Sequence, residues 1–179
     1  MTRHAYLLDA NVFVAAWKLY YRRSFAPAFW EHLDSLIRRK SAFIIEPVFL
    51  EVCRGNDALA SYVAEYKALV AKPDQGTLTA YAKVLQTLSD CVERQRYYKN
   101  AALRNWSQPN VADPWLIAVA MAKNAIIVTQ EVGILRGADQ SSGLMGNAKI
   151  PDMAWMMGVP SMDMFDFMER TGFLWRQNG

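Results

Sequence analysis

Residues 111–131 read VADPWLIAVAMAKNAIIVTQE and combine a helical pattern with a strand pattern. The first half predicts a helix from Pro114 to about Lys123, because proline is favoured in the first turn of a helix. The second half, Ala125–Thr129, is a short continuous apolar run, which is typical of a strand buried on both faces. An acid flanks each end of this unit, since Asp113 precedes the helix and Glu131 follows the strand.

Three further apolar runs predict strands, at Ala5–Leu8, at Ala42–Ile45 and at residues 159–162 (VPSM). Helical patterns separate them, including Val12–Tyr21 and a long one that runs from Leu78 to about Arg104. Buried strands that alternate with helices indicate a parallel sheet covered on both faces. Right-handed crossovers place the carboxyl ends of such strands along one edge, where ligands bind in open α/β sheets.

Composition narrows the class of protein. The 179 residues are 53% apolar and 21% charged, with a formal net charge of +3, which suits a globular protein with a mild basic bias. Cys53 and Cys91 form no CxxC pair and His4 and His32 lie on different elements, so zinc is not indicated. Neither a membrane-spanning run nor a signal peptide is found, and we expect a single cytoplasmic domain over residues 1–179.

Acidic residues follow the predicted strands or open the helices next to them. Asp9 follows the first strand, Glu46 the second and Glu131 the third, while Glu51 lies one turn into a helix and Asp113 begins another. Two carboxylates roughly 5 Å apart repel by about 3 kcal/mol at an effective dielectric constant of 20. Carboxylates and waters are the ligands that Mg²⁺ or Mn²⁺ prefers, so this edge predicts a site for a divalent cation.

Three motifs resemble, in order and spacing, those of the PIN-domain nuclease superfamily: YLLDANVFV (6–14), PVFLEVCRG (47–55) and ADPWLIAVAMAKNAIIVTQE (112–131). That family has an Asp after its first strand, a Glu on a middle helix, an Asp opening a late helix and an acid after a late strand. The resemblance extends from Tyr6 to about Met168. It implies an α/β/α sandwich around a central, mainly parallel sheet of about four to five strands.

The resemblance also implies an activity, which is divalent-metal-dependent hydrolysis of RNA phosphodiester bonds with Mg²⁺ or Mn²⁺. The metal-binding and catalytic acids that it implies are Asp9, Glu51, Asp113 and Glu131, although the family most often has Asp at the last position. Asn11 and Thr129 match small polar positions that support the acids. Many members are toxins of toxin–antitoxin pairs, which implies an antitoxin partner and a homodimer. The segment 132–149 and Lys149–Asp152 differ from the compact toxins and indicate a divergent branch.

Basic residues predict where RNA binds. Arg94, Arg96 and Lys99 are interleaved with aromatic residues and suit phosphate contacts and base stacking, and Lys149 suits the scissile phosphate. The alternative is a solvated helix face with an aromatic stripe in the core.

Other interpretations remain open at this level. Asp113 before Pro114 fits a helix N-cap, and Asp9 fits a strand-ending turn. A phosphatase with Asp9 as nucleophile is weakened because such enzymes carry D-x-D, whereas Asn11 stands at the second position. A non-catalytic PIN-like module that binds RNA or protein is the remaining alternative.

Overall fold

The computed structural model describes residues 5–95, 97–134 and 146–173. Its four strands are β1 (Tyr6–Leu8), β2 (Ala42–Phe43), β3 (Ile126–Val128) and β4 (Ser161–Met162). They form one sheet in the order β2-β1-β3-β4, and every neighbouring pair is parallel. The parallel sheet and all four predicted strand positions are thereby confirmed.

Apolar burial explains why these runs become strands. Leu7 and Leu8 of β1 and Ile127 and Val128 of β3 are at most 1% exposed, as expected for central strands covered on both faces. Tyr6 to Leu8 pair in register with Ile126 to Val128, so β1 and β3 end at the same level. This register brings the residues that follow the two strands to the same edge.

Helices connect and cover the strands. Their bounds are α1 (Ala10–Ala15), α2 (Pro27–Arg38), α3 (Glu46–Cys53), α4 (Ala58–Ala64), α5 (Gln75–Glu93), α6 (Asn100–Trp106), α7 (Asp113–Lys123), α8 (Ile150–Met156) and α9 (Met164–Arg170). Helix α2 packs on β2, α7 on β3 and α8 on β4, while α5 packs along α7. The predicted α/β/α arrangement is confirmed.

The first helical pattern holds a change of geometry. A π-helix, Ala16–Tyr20, continues α1, and the Tyr21 N–H bonds to the Ala16 carbonyl five residues earlier at 2.8 Å. The prediction of a regular helix over Val12–Tyr21 is therefore only partly right.

The prediction of a continuous helix from Leu78 to Arg104 is wrong. Helix α5 ends at Glu93, where the Arg94 and Gln95 N–H groups both bond to the Asp90 carbonyl, and α6 starts only at Asn100. The turn between them buries the side chain of Tyr98, and α6 buries that of Trp106. Burial of these two large aromatic rings outweighs the intrinsic preference for an unbroken helix.

Within the described ranges, no helix has the length and apolar character needed to cross a bilayer.

Candidate functional site

Asp9 lies at the end of β1 and serves as the N-cap of α1. One carboxylate oxygen accepts the Ala10 N–H at 2.7 Å and the other accepts the Thr129 hydroxyl at 2.8 Å. Its side chain is buried, with the residue 4% exposed. Burial, together with the charges of Asp113 and Glu131, raises the pKa of Asp9 to about 7, and the two hydrogen bonds oppose that rise. Asp9 is therefore an acid held in a fixed position, and it forms no ion pair with any described residue.

Thr129 and Asn11 hold Asp9 in place. The Thr129 hydroxyl donates to Asp9 and accepts from the Asn11 side-chain amide at 3.1 Å and from the Glu131 N–H at 3.1 Å. The Asn11 carbonyl oxygen accepts the Gln130 N–H at 2.8 Å. These bonds tie the start of α1 to the residues after β3 and orient the Asp9 carboxylate.

Asp113 is the first residue of α7, and Ala112 occupies the N-cap position. The interpretation of Asp113 as the N-cap is therefore wrong. Desolvation, followed by the charges of Glu131 and Glu51, raises the pKa of Asp113 to about 6, and Lys149 opposes the rise. The charges of the two glutamates thus raise the pKa of Asp113, and the charge of Asp113 in turn raises the pKa of Asp9.

Glu51 lies on α3, where it is an exposed residue. Partial desolvation raises the pKa of its carboxyl and the nearby Arg54 lowers it. Its charge contributes to the raised pKa of Asp113, so it lies within electrostatic range of the same edge. Glu46 instead begins α3, where its N–H bonds to the Ala71 carbonyl at 3.0 Å.

Glu131 has partners for both carboxylate oxygens. One oxygen accepts from the Lys149 ammonium group at 3.1 Å, and the other accepts the Ile150 N–H at 2.8 Å. Glu131 therefore connects the end of β3 to the first turn of α8. Its charge still raises the pKa values of Asp9 and Asp113.

The remaining predicted RNA-binding residues lie at the junction of α5 and α6. The guanidinium of Arg94 is 3.4 Å from an oxygen of Asp90, one turn earlier. Lys99 is the N-cap residue of α6 and lines an open cleft with Arg104. Arg96 lies outside the described residues. Of the predicted basic residues, the structure brings Lys149 to the acids.

Two residues near the edge were not predicted from the sequence. Asp152 is 2% exposed, and its carboxylate accepts the Ile134 N–H at 3.0 Å. Gln130 accepts the Met164 N–H at 2.9 Å and so joins the end of β3 to α9. An added Cβ at Gly133 would lie 2.6 Å from an Asp152 oxygen, so the backbone approaches Asp152 closely at this position, but no local sequence pattern indicates the contact.

The oxygen donors at this edge fit a hard divalent cation. Across residues 5–95, 97–134 and 146–173, no group of three Asp, Glu, His or Cys side chains is placed to hold a metal ion together. Mg²⁺ does not require one, because it keeps several waters and binds through one or two carboxylates. The raised pKa values of Asp9 and Asp113 reflect burial and repulsion that a nearby cation would relieve.

A family model described as "Domain of unknown function (DUF4411)" matches residues 6–175. The chain belongs to the DUF4411 family. No curated protein matches it. Among solved structures, the DUF4411 chain is similar to VapBC2 from Rickettsia felis bound to a DNA fragment from their promoter and to VapBC-1 from nontypeable Haemophilus influenzae.

Both similarities have 14% sequence identity and a TM-score of 0.51. Each covers 89% of the DUF4411 chain, with 98% of the Rickettsia chain and 97% of the Haemophilus chain. The VapC component of such complexes has the PIN fold. The PIN-like resemblance predicted from the sequence is therefore confirmed at the level of the fold.

Proposed function

We propose that this DUF4411 protein is a divalent-metal-dependent endoribonuclease that hydrolyses RNA phosphodiester bonds. The observation that carries the proposal is the pair Asp9 and Asp113. These acids follow β1 and open α7 at one sheet edge, and both have raised pKa values. Such groups are enriched at functional sites. The PIN-like fold supports the same reading, since VapC is a PIN-domain nuclease.

Asp9 and Asp113 would hold Mg²⁺ or Mn²⁺ together with bound waters, and Glu51 and Glu131 would add negative charge around them. When bound, the cation acts as a Lewis acid that activates water and offsets charge on the phosphoryl oxygens. Thr129 and Asn11 orient the Asp9 carboxylate through the hydrogen bonds at 2.8 and 3.1 Å. Lys149, which is partly exposed beside Glu131, provides a cation that a scissile phosphate can contact.

The proposal includes a biological setting. By analogy with VapBC complexes, we propose that the protein is the toxin of a type II toxin–antitoxin pair acting in the cytoplasm. RNA is then the substrate, an antitoxin protein the partner and a homodimer the expected assembly. Co-purification with the product of a small neighbouring gene tests the partner.

The activity is tested by incubating the purified protein with a mixed RNA pool in Mn²⁺ or in EDTA. We expect the protein to cut RNA in Mn²⁺ but not in EDTA. Asp9→Asn should reduce the rate of cutting in Mn²⁺ at least about a hundredfold. Asp57→Asn is the matched control, because Asp57 caps α4 by accepting the Ala60 N–H at 2.9 Å and lies on no strand end. Cutting that survives in Asp9→Asn, or that needs no metal, contradicts the proposal.

A second candidate is a non-catalytic module that binds RNA or protein. It is favoured by Glu131, whose two oxygens are both engaged by Lys149 and Ile150. The same assay separates the candidates, because a binding module retains RNA without cutting it in any metal.

A further inference from the structure

A cleft of about 580 Å³ opens beside the acidic edge, where the ends of β3 and β4 meet α8 and α9. Thr129 and Glu131 line it and also belong to the acidic edge, so the two sites are continuous. We propose that this cleft binds a guanine base of the RNA next to the scissile phosphate. This inference rests on the proposed ribonuclease function and adds its base preference.

Three exposed aromatic side chains form walls of the cleft. Trp155 is 55% exposed, and Tyr20 and Phe165 are each 46% exposed. Large aromatic rings left in water around a concavity mark a binding surface, and nucleobases stack on such rings. The Tyr20 and Phe165 rings meet edge to face, with their centroids 5.5 Å apart.

The position of Tyr20 depends on the π-helix Ala16–Tyr20, of which it is the last residue. Wide helical turns of this kind occur frequently at functional sites. Since this π-helix continues the helix that Asp9 caps, one element supplies both a carboxylate to the acidic edge and an aromatic wall to the cleft.

The charge of the cleft determines which part of a nucleotide it accepts. Among the described residues that line it, the charged ones are all acidic, and these are Glu131, Asp152, Asp163 and Asp166. Carboxylates repel a phosphate but accept hydrogen bonds from the N–H groups of a neutral base. The cleft therefore suits a base, while the phosphate lies at the neighbouring cation site.

Two polar side chains favour guanine. Within the described part of the chain, the Asp166 carboxylate makes no hydrogen bond, and it lies on the cleft wall. Gln130 uses its carbonyl oxygen for the Met164 N–H, which leaves its NH₂ group as a donor. Guanine presents N1–H and N2–H₂ donors beside the O6 acceptor, and this set complements one carboxylate and one amide donor.

Binding is measured in EDTA, without cleavage, using uridine-rich RNA oligonucleotides that carry one guanosine, inosine or adenosine. We expect guanosine to bind about tenfold more tightly than adenosine, and inosine to fall between them because it lacks the N2 amino group. Asp166→Asn should remove the difference between guanosine and inosine. Glu169→Gln, which removes an exposed acid from the same helix outside the cleft, is the matched control and should preserve it.

The stacking contribution is tested at Trp155. Trp155→Ala should weaken binding of every oligonucleotide about tenfold, whereas Trp155→Phe should retain most of the affinity. Phe25→Ala removes an aromatic ring that is 59% exposed and lies outside the cleft, so it should leave binding unchanged.

If metal-dependent cleavage occurs but base identity, Asp166→Asn and Trp155→Ala change nothing, the inference fails and the proposed function stands. If the guanosine preference and its loss in Asp166→Asn appear without cleavage in any metal, the proposed function fails and the base site stands. Equal binding of all oligonucleotides, with Trp155→Ala weakening only the binding of an arginine-rich peptide, would assign the cleft to a protein partner and overturn the inference.

Discussion

Two pairs of residues lie at the same edge of the sheet, Asp9 with Asp113 and Glu131 with Lys149. They differ in whether the carboxylate charge is neutralised within the chain. Glu131 has a cation at 3.1 Å and a helix N–H at 2.8 Å. Among the described residues, neither Asp9 nor Asp113 forms an ion pair, and their pKa values rise to about 7 and about 6. Charge that the chain neutralises itself stabilises the fold, whereas charge that it leaves open is available to an external cation.

The largest expected effect that tests this comparison is that of Asp113→Asn in metal-free protein. The folded pKa of about 6 exceeds the ordinary 3.8, so the folded state holds its proton more tightly than the unfolded state does. The free energy of unfolding therefore falls as pH rises from about 4 to about 6. Asp113→Asn should raise the free energy of unfolding by up to about 3 kcal/mol above about pH 6 and leave it unchanged below about pH 4.

Urea denaturation at several pH values measures this effect. Adding Mn²⁺ should stabilise the wild type and not Asp113→Asn, because ligands that bind the folded state stabilise it. If Asp113→Asn instead destabilises the metal-free protein by about 1 kcal/mol or more, the main role of the Asp113 charge is to stabilise the N-terminus of α7.

Thr129→Val should give the next largest effect. The hydrogen bond that the Thr129 hydroxyl donates to Asp9 favours the charged carboxylate. Removing this hydroxyl should therefore raise the pKa of Asp9 further, by about one. Carboxyl-carbon NMR titration of the metal-free protein measures the shift. Thr129→Ser retains the hydroxyl and should behave like the wild type. An unchanged titration in Thr129→Val would mean that the Thr129 hydroxyl does not lower this pKa.

Glu131→Gln should give the smallest effect. The variant loses the ion pair with Lys149 but retains an oxygen for the Ile150 N–H, so we expect a loss of about 0.5 to 1 kcal/mol of stability. High salt should shrink the difference between the two proteins. Combination with Lys149→Met in a double-mutant cycle isolates the pair. If Glu131→Gln instead stabilises the metal-free protein, the Glu131 charge is repelled at this edge in the same way as the charges of Asp9 and Asp113.

The sheet was predictable because its signals are local. The apolar runs around Leu7 and Ile127 predict buried strands, and each is followed by polar residues that mark where the strand ends. The motifs around Asp9 and Asp113 predict the edge at which both residues lie. These features depend on residues close together in the chain, which sequence patterns record.

Contacts between distant residues set the features that were missed. The break after Glu93 depends on burial of Tyr98 and Trp106, which no helical periodicity encodes. The partners of Glu131 arrive from 18 and 19 residues further along the chain. The start of α7 at Asp113 rather than Pro114 is a shift of one residue, yet it decides whether that carboxylate caps the helix.

The pairing of β1 with β3 also determines when the site comes into existence. Asp9 and Thr129 are 120 residues apart in sequence. The next strand in the chain after β1 is β2, and it pairs with the side of β1 that faces away from β3. During synthesis, Asp9 therefore has no Thr129 beside it until 120 further residues have been made. Non-local parallel pairing of this kind also forms slowly. The growing polypeptide consequently carries no assembled carboxylate cluster before β3 has been made and paired with β1.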